Sequence, residues 1–210
     1  MQCILTALKA ESDPLIASFN LVRSSSFNFP VFVNSTQELY LIGLGVGKSK
    51  VEYRIKSFTD KINEPLMQFI NIGVAGSNQR FSEIGEIFLI NKITDEQFGH
   101  FYYPDILIDH SMMESDIVTV MDMVNDKDNI YDSLVDMEAS EIFRVCSPMI
   151  PIHNIAFIKI VSDHMEMDHT NFNGTLISSF ITDKLESIII FSTSNVNKSR
   201  TTLEAVSRSS

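Results

Sequence analysis

The chain has 210 residues, a mass of 23.7 kDa, a formal net charge of −11 and a pI near 4.8. This acidity argues against a nucleic-acid backbone or an anionic membrane surface as the partner, although it leaves room for a local pocket that binds a small anion. No apolar run approaches the roughly 20 residues of a membrane span, and no basic segment opens the chain as in a signal peptide, so we expect a cytoplasmic protein.

Short apolar runs that alternate with amphipathic segments predict both strands and helices. The candidate strands are 3–8, 39–44, 67–74, 86–93, 116–124 and 155–162. Helical spacing is found over 51–62 and 138–149, and a longer helix candidate spans 173–191, although its C-terminal part fits a strand equally well. The alternation predicts an α/β fold with a largely parallel sheet covered on both faces.

The chain shows no internal repeat and no linker that would divide it. We therefore predict a single domain over residues 1–195, and a frayed tail over the polar residues 196–210. Cys3 lies in the first apolar run and Cys146 on a helical face, without a CxxC spacing. We interpret both cysteines as small core residues rather than as a disulfide.

Ligands of such folds bind beyond the carboxyl ends of the strands, which selects four short stretches. These stretches are Lys9–Glu11, Gly43–Lys48, Gly73–Ser77 and Ser162–Asp163. The glycines in GLGVGK and GVAGS indicate turns where the backbone bends sharply or approaches a ligand. GLGVGK matches neither the Walker loop nor the dinucleotide fingerprint, because both need a glycine that is missing here.

Five features follow one another in a fixed order: a strand that leads to Glu11 (CILTALKAE), then GLGVGK, INIGVAG, VDMEA and IKIVSD. This set, spread over roughly residues 1–165, resembles the nucleoside phosphorylase/nucleosidase superfamily, and within it the 5′-methylthioadenosine/S-adenosylhomocysteine nucleosidases. Each motif is weak alone, and the ordered set is fairly specific. The resemblance implies a three-layer α/β/α fold with a central mixed sheet, a homodimer, and hydrolysis of a purine (thio)nucleoside without metal or organic cofactor.

The resemblance also implies a role for individual residues. Asp163 would protonate the departing purine, and Glu11 would orient or deprotonate the attacking water, a division between acid and base that glycoside hydrolysis also uses. Glu138 would hold the ribose hydroxyls, with Met137 packed on the sugar face. The remaining predicted substrate-binding residues are Val74, Ala75, Gly76, Ser162, Met123 and Val124.

Each carboxylate also has an ordinary structural interpretation. An Asp after a strand is usually a turn or cap residue, Glu138 near a helix start favours the helix dipole, and Glu11 could be an exposed residue of a first helical turn. A phosphorylase is a further alternative. At the positions where phosphorylases of this superfamily carry arginines and a serine, this chain has Glu11, Asn71 and Val74. A phosphate needs donors and positive charge, so hydrolysis is favoured.

Departures from the nucleosidase pattern keep two more alternatives open. Val74 stands where these enzymes usually have Ser, and Ser77 where they have a second Gly. No aromatic residue occurs between Tyr103 and Tyr131 to stack on adenine, so that Met121, Met123 or Val124 would serve. The aromatics of QFGHFYY (97–103) could pack on a ligand, on the core or at a dimer interface. The alternatives are a nucleosidase for another purine nucleoside, such as a futalosine-type hydrolase, and a nucleoside-binding protein that no longer turns over.

The stretch DHMEMDH (163–169) raises a metal site as a further alternative. His164 and His169 are five residues apart, which is off the i, i+4 spacing of a helical zinc motif, and no other histidine–carboxylate cluster supports them. We expect no metal here. Beyond Asp163, the stretch is interpreted as a solvated loop beside the pocket.

Overall fold

The computed structural model describes residues 1–124, 130–165 and 173–194. Its helices are α1 Lys9–Ser18, α2 Lys48–Ile62, α3 Ala139–Cys146 and α4 Gly174–Asp183, and a further helical segment covers 185–194. Its strands are β1 Gln2–Thr6, β2 Val22–Arg23, β3 Val31–Asn34, β4 Leu39–Gly43, β5 Gln68–Gly76, β6 Ile87–Asp95, β7 His100–Tyr102, β8 Met113–Thr119, β9 Leu134–Asp136 and β10 Ile155–Asp163.

All six predicted strands and all three predicted helices are present, with shifted bounds. The strand predicted over 116–124 is displaced, since β8 covers Met113–Thr119 and its chain leaves the sheet five residues earlier than expected. The ambiguous part of 173–191 is helical. The sequence did not predict β2, β3, β7 and β9, which have two to four residues each and are too short to show a period.

Helix α1 was also missed, because its amphipathic pattern is weak and Pro14 lies inside it. A proline in a helix removes the hydrogen bond to the carbonyl four residues earlier, here that of Ala10. The Ser178 hydroxyl of α4 donates to this carbonyl at 2.8 Å. The packing of α4 on α1 therefore satisfies the group that Pro14 leaves free.

The strands form a mixed sheet whose central part closes on itself. From β5 the pairings run through β10, β6, β8 and β9 and return to β5, so that five strands form a closed ring. The remaining sheet extends from β5 through β1, β4 and β3 to β2. The longest pairings, β10 with β5 and β6 with β8, are parallel. The expected mixed sheet with helices is confirmed. The three-layer arrangement is not confirmed, because five of the strands close into a ring instead of lying in one open layer.

The core lies on both faces of the sheet. On β1, Cys3 and Leu5 pack into one buried cluster with α2 and α3, while Ile4 packs into a second cluster that includes Leu15 of α1. Every residue of β1 is buried, as expected for a central strand covered on both faces. Cys3 and Cys146 are both buried and unpaired. Within the described residues no helix is long and apolar enough to cross a membrane.

A β-bulge at the end of β10 changes the direction in which the last side chains of this strand point. In the register with β5, Val161 pairs with Ala75 and Asp163 with Gly76, so Ser162 is the extra residue. Successive side chains of a regular strand point to opposite faces, and a bulge re-aims them. The bulge allows Ser162 and Asp163, although consecutive, to face the same cavity.

Candidate active site

A cavity of about 320 Å³ opens at the carboxyl ends of β1, β5, β8 and β10. All ten residues predicted as catalytic or substrate-binding line it, namely Glu11, Val74, Ala75, Gly76, Met123, Val124, Met137, Glu138, Ser162 and Asp163, whereas Met121 and Ser77 are not among its lining residues. Its other lining residues are Leu8, Val46, Val120, Val135, Asp136 and Met165. The fold thus brings together carboxylates as far apart in the chain as Glu11 and Asp163, which are separated by 152 positions, while their chemical roles stay predictions.

Glu11 is a buried carboxylate held by backbone amides. Its Oε2 accepts hydrogen bonds from the amides of Ala7 and Leu8, both at 2.9 Å, and its Oε1 accepts one from Val74 at 3.0 Å. The side chain lies over Gly73, where a Cβ would come within 2.9 Å of Oε1. Burial raises the pKa of Glu11, although these amides and the charge of Lys159 act in the opposite direction. Glu11 is therefore fixed in place, and it is not the exposed helix residue of the alternative interpretation.

Glu138 is a half-buried residue that precedes the first turn of α3. Burial and the neighbouring carboxylate of Asp136 raise the pKa of Glu138 to about 7, while Lys159 acts against them. A carboxyl with this pKa exchanges its proton near neutral pH, and it both donates and accepts hydrogen bonds. Such a group suits the recognition of hydroxyl groups.

Asp136 lies next to Glu138 and is held on three sides. Its Oδ1 accepts a hydrogen bond from the Thr119 hydroxyl at 2.8 Å, and its Oδ2 accepts one from the amide of Ala139 at 2.9 Å. The ammonium of Lys159 lies 2.8 Å from the same Oδ2, and the exposed fractions of the two side chains are 2% and 1%. Asp136 thus joins the ends of β8 and β9, the first turn of α3 and the middle of β10.

Asp163 has both carboxylate oxygens oriented by its own strand end. The Ser162 hydroxyl donates to Oδ2 at 2.7 Å, and the amide of Met165 donates to Oδ1 at 2.8 Å. Met165 has a positive φ of 56°, and its buried side chain would collide with any Cβ placed on Gly76. The side chain of Asp163 is half-buried and directed at the cavity, which a solvated turn residue would not be.

The other lining residues are mainly apolar. Val46 belongs to the GLGVGK turn, in which Gly45 and Gly47 have positive φ angles of 70° and 107° that favour glycine. Met123 and Val124 lie beyond the end of β8, and the side chain of Met123 is 65% exposed. In the described part of the chain no aromatic ring is among the lining residues.

The aromatics of QFGHFYY lie outside the cavity lining. Phe98, Phe101 and Tyr103 are exposed, while Tyr102 packs against Phe143 of α3 with ring centroids 5.0 Å apart. The core interpretation therefore holds for Tyr102. The exposed rings provide no stacking partner within this chain's cavity.

Sequence reasoning missed two charged residues of the site, Asp136 and Lys159. Lys159 had a signal, because it is the single charge in the apolar strand 155–162, and a buried lysine needs a partner. Its partner could not be identified, since Asp136 belongs to a strand of three residues. Met165 was missed because it belongs to a stretch interpreted as a solvated loop, whereas its side chain is buried.

Within the described residues, no group of three or more His, Cys, Asp and Glu side chains could hold a metal ion. His164 Nδ1 lies 3.3 Å from the carbonyl oxygen of Ser77. Glu166, Asp168 and His169 lie outside the described residues, as does the predicted tail, so the expectation of no metal there stays a prediction.

Comparison with solved structures places the fold among the 5′-methylthioadenosine/S-adenosylhomocysteine nucleosidases. The S. pneumoniae enzyme, in complex with the transition-state inhibitor MT-ImmA, matches with a TM-score of 0.72 at 16% identity, over 91% of this chain and 98% of its own. The Arabidopsis thaliana 5′-methylthioadenosine nucleosidase matches with a TM-score of 0.68 at 16% identity (90% and 94%). The Chlamydia trachomatis MTAN bound to adenine gives 0.68 at 18% identity (92% and 98%).

By sequence, no family model and no curated protein matches the chain. The structural matches nevertheless cover nearly the whole of each neighbour. The chain therefore has the nucleoside phosphorylase/nucleosidase fold, as the order of its motifs predicted.

Proposed function

We propose that the protein hydrolyses the N-glycosidic bond of a purine nucleoside or thionucleoside, with 5′-methylthioadenosine and S-adenosylhomocysteine as the first substrates to test. The observation that carries the proposal is the convergence of Glu11, Glu138 and Asp163 on one cavity. The neighbours that share the fold supply independent support, since one is bound to MT-ImmA and another to adenine.

In the proposed reaction Asp163 is the general acid. A purine is a poor leaving group as an anion, so a proton delivered to a ring nitrogen makes its departure feasible. Ser162 and the Met165 amide hold the two carboxylate oxygens, which fixes the direction of the proton transfer. The Ser162 bulge is the structural device that directs this carboxyl at the cavity.

Glu11 is the proposed base for the attacking water. Three amide hydrogen bonds fix its carboxylate on one side, and its remaining lone pairs are available to a water molecule in the cavity. Glu138 is the proposed partner of the ribose hydroxyls, with Met137 packed against the sugar. Cleavage by water then gives the free base and the free sugar, and no metal or organic cofactor takes part.

Charge favours hydrolysis over phosphorolysis. A bound phosphate needs cationic or amide donors, and the described lining residues include no lysine, arginine or histidine. The nearby ammonium of Lys159 is already paired with Asp136. Val74 lies within β5 and not in the turn predicted for GVAGS, and its amide donates to Glu11 instead of being free for an anion.

A second candidate is a nucleoside-binding protein without turnover. It is favoured by the lack of an aromatic ring among the described lining residues, because stacking would contribute to base binding. A different purine nucleoside as substrate, including a futalosine-type one, remains an alternative for the same chemistry. The homodimer, the single domain over 1–195 and the cytoplasmic location stay predictions.

The decisive experiment measures purine release from a panel of nucleosides, with and without inorganic phosphate. We expect release of adenine from 5′-methylthioadenosine or S-adenosylhomocysteine at a rate that phosphate does not change. Release that requires phosphate would show a phosphorylase. Tight binding of a nucleoside without release would show the binding protein, and release from a different nucleoside alone would replace the proposed substrate.

A further inference from the structure

Lys159 is a buried charge that the proposed reaction does not yet use. It lies in the middle of β10, with 2% of its side chain exposed, and pairs with Asp136 at 2.8 Å. Removing such a pair from water costs free energy that the attraction between its charges often fails to offset, and apolar residues of similar size often stabilise a fold as well. The fold alone therefore gives little reason for a lysine at this position.

The position of Lys159 on β10 places its side chain on the same face of the sheet as the carboxylate of Glu11. In the parallel register of β10 and β5, Lys159 is directly opposite Gly73. Side chains at paired positions of neighbouring strands lie on the same face of the sheet. The carboxylate of Glu11 occupies the space over Gly73, with Oε1 within 2.9 Å of where a Cβ would be. The stem of Lys159 and the carboxylate of Glu11 thus lie on the same face.

Lys159 is also connected, through its ion-pair partner Asp136, to the segment of the chain that contains Glu138. Asp136 Oδ2 accepts hydrogen bonds from both Lys159 and the amide of Ala139, the first residue of α3. Glu138 immediately precedes that residue. The ion pair therefore ties the chain on either side of Glu138 to the core of the sheet.

Several carboxylates act on the single ammonium of Lys159. Asp136 of β9, Glu138 at the start of α3 and Glu11 of α1 all act on its ammonium, and together they hold the pKa of Lys159 above its ordinary value although burial alone would lower it. Asp163 lies farther along the same strand. Burial raises the pKa of both Glu11 and Glu138, and the charge of Lys159 opposes this rise at both carboxyls. In the described part of the site, the ammonium of Lys159 thus interacts electrostatically with the carboxylates of Asp136, Glu138 and Glu11.

We propose that Lys159 is a positioning residue of the hydrolytic site, which fixes Asp136 against the start of α3 and keeps Glu11 ionised as the base. The inference rests on the proposed function for its role in turnover. Its electrostatic part, the action of Lys159 on Glu11, holds for the protein without substrate.

The test compares a double variant, Lys159→Met with Asp136→Asn, with the conservative variant Lys159→Arg. The double change removes both charges of the pair, so it leaves no unpaired buried charge that would unfold the protein. Thermal unfolding first establishes that both variants fold. The dependence of kcat/KM on pH is then measured, because its ascending limb reports the ionisation of the base.

In the double variant we expect the ascending limb to move to higher pH by roughly one unit, the effect of a nearby opposite charge on a carboxyl. The prediction concerns the ionisation of Glu11, on which the charge of Lys159 acts directly. Lys159→Arg retains the charge and is expected to keep the limb in place. A folded double variant whose limb does not move would overturn the inference, because a merely structural role changes the rate equally at every pH.

A second measurement is independent of turnover. Titration of the glutamate side-chain carboxyls by ¹³C NMR, in the protein without ligand, should show the Glu11 carboxyl titrating at higher pH in the double variant than in the wild type. If the wild type releases no base from any nucleoside, the proposed function fails while this titration still decides the electrostatic part. An unchanged Glu11 titration would refute that part whatever the activity.

Discussion

The cavity has two kinds of lining that are built in opposite ways. The carboxylate set consists of Glu11, Asp136, Glu138 and Asp163. Amides and hydroxyls hold the carboxylates of Glu11, Asp136 and Asp163 by hydrogen bonds, and the charge of Lys159 acts on Glu11, Asp136 and Glu138. The apolar set, Val46, Val120, Met123, Val124 and Met165, has side chains that offer no hydrogen-bonding group stronger than a thioether. From this difference we expect the carboxylate set to carry out the reaction and the apolar set to contribute to the recognition of the substrate.

Fixed geometry matters where protons move, because a misplaced acid or base loses most of its effect. The apolar set needs no such precision, since apolar contact is non-directional and methionine adapts its shape to what it packs against. Changes in the carboxylate set should therefore reduce the rate constant of the chemical step. Changes in the apolar set should alter the binding of substrate by smaller factors.

The largest effect is expected at the two proposed proton-transfer groups. Asp163→Asn and Glu11→Gln should each lower kcat by about 10²- to 10⁴-fold, the range for loss of general acid or base catalysis, with the fold retained. Steady-state kinetics with 5′-methylthioadenosine, together with thermal unfolding, would measure both. Asp13→Asn is a matched control for Glu11, because Asp13 lies on the same helix and pairs with Lys9 on the surface.

A folded Asp163→Asn variant with wild-type activity would remove Asp163 from the role of acid. Wild-type activity of a folded Glu11→Gln variant would show that Glu11 is not the base for the attacking water. If both variants kept their activity, the distinction between the two sets of lining residues would fail altogether.

The motif-bearing carboxylates were predictable as candidates because the ordered motifs that carry them resemble the nucleosidase pattern, while their chemical roles stay predictions. Glu11, Glu138 and Asp163 each follow a strand or precede a helix with a readable pattern, and parallel strands end at one edge of a sheet. Asp136 and Lys159 were not predictable as a pair. Their contact joins β10 to a strand of three residues, whose sequence shows no period.

The closed ring of strands escaped prediction for a similar physical reason. It depends on the pairing of β9 with β5 through Gly76 and Val135 alone, and on the antiparallel pairing of β10 with β6. Hydrophobic periodicity reports which side chains of a strand are buried, but it carries no information on which strands become neighbours. The departure of β8 from the sheet after Thr119 likewise follows from tertiary structure rather than from its apolar composition.

The second prediction disturbs the carboxylate set without changing any of its members. In Gly73→Ala the new Cβ would lie 2.9 Å from Glu11 Oε1, so the carboxylate must move and its bond with the Val74 amide must weaken. A displacement of this kind should lower kcat by roughly 10- to 100-fold. Gly174→Ala is the control, since its Cβ would meet only Ala10 at an ordinary 3.5 Å. Equal activity of the two variants would show that the position of Glu11 is unimportant.

The third prediction concerns stability and pH. Glu138 has an ordinary pKa of 4.5 and a folded pKa of about 7. Between these values the folded state binds more protons than the unfolded state, so the free energy of unfolding falls as pH rises, by on the order of 3 kcal/mol for this group. Urea unfolding of the wild type from pH 4.5 to 7.5 should show the decline, which the raised pKa of Glu11 reinforces.

Glu138→Gln removes the titrating group and should flatten this decline, whereas the exposed Glu186→Gln should not change it. A Glu138→Gln protein whose stability still falls as steeply as that of the wild type would show that Glu138 titrates normally. It would then belong to the solvated carboxylates rather than to the fixed set.

The smallest effect is expected in the apolar set. Met123→Ala removes a side chain that lines the cavity but is 65% exposed, so only part of its surface is available to a substrate. A loss of about one buried methylene in contact area corresponds to a rise in KM of about two- to fivefold, with kcat unchanged. Met113→Ala is a close control, because Met113 is 51% exposed and lies at the opposite end of β8. If Met123→Ala instead reduced kcat as strongly as Asp163→Asn, then Met123 would belong with the residues that hold the reacting groups, and the separation between reaction and recognition would be wrong at this position.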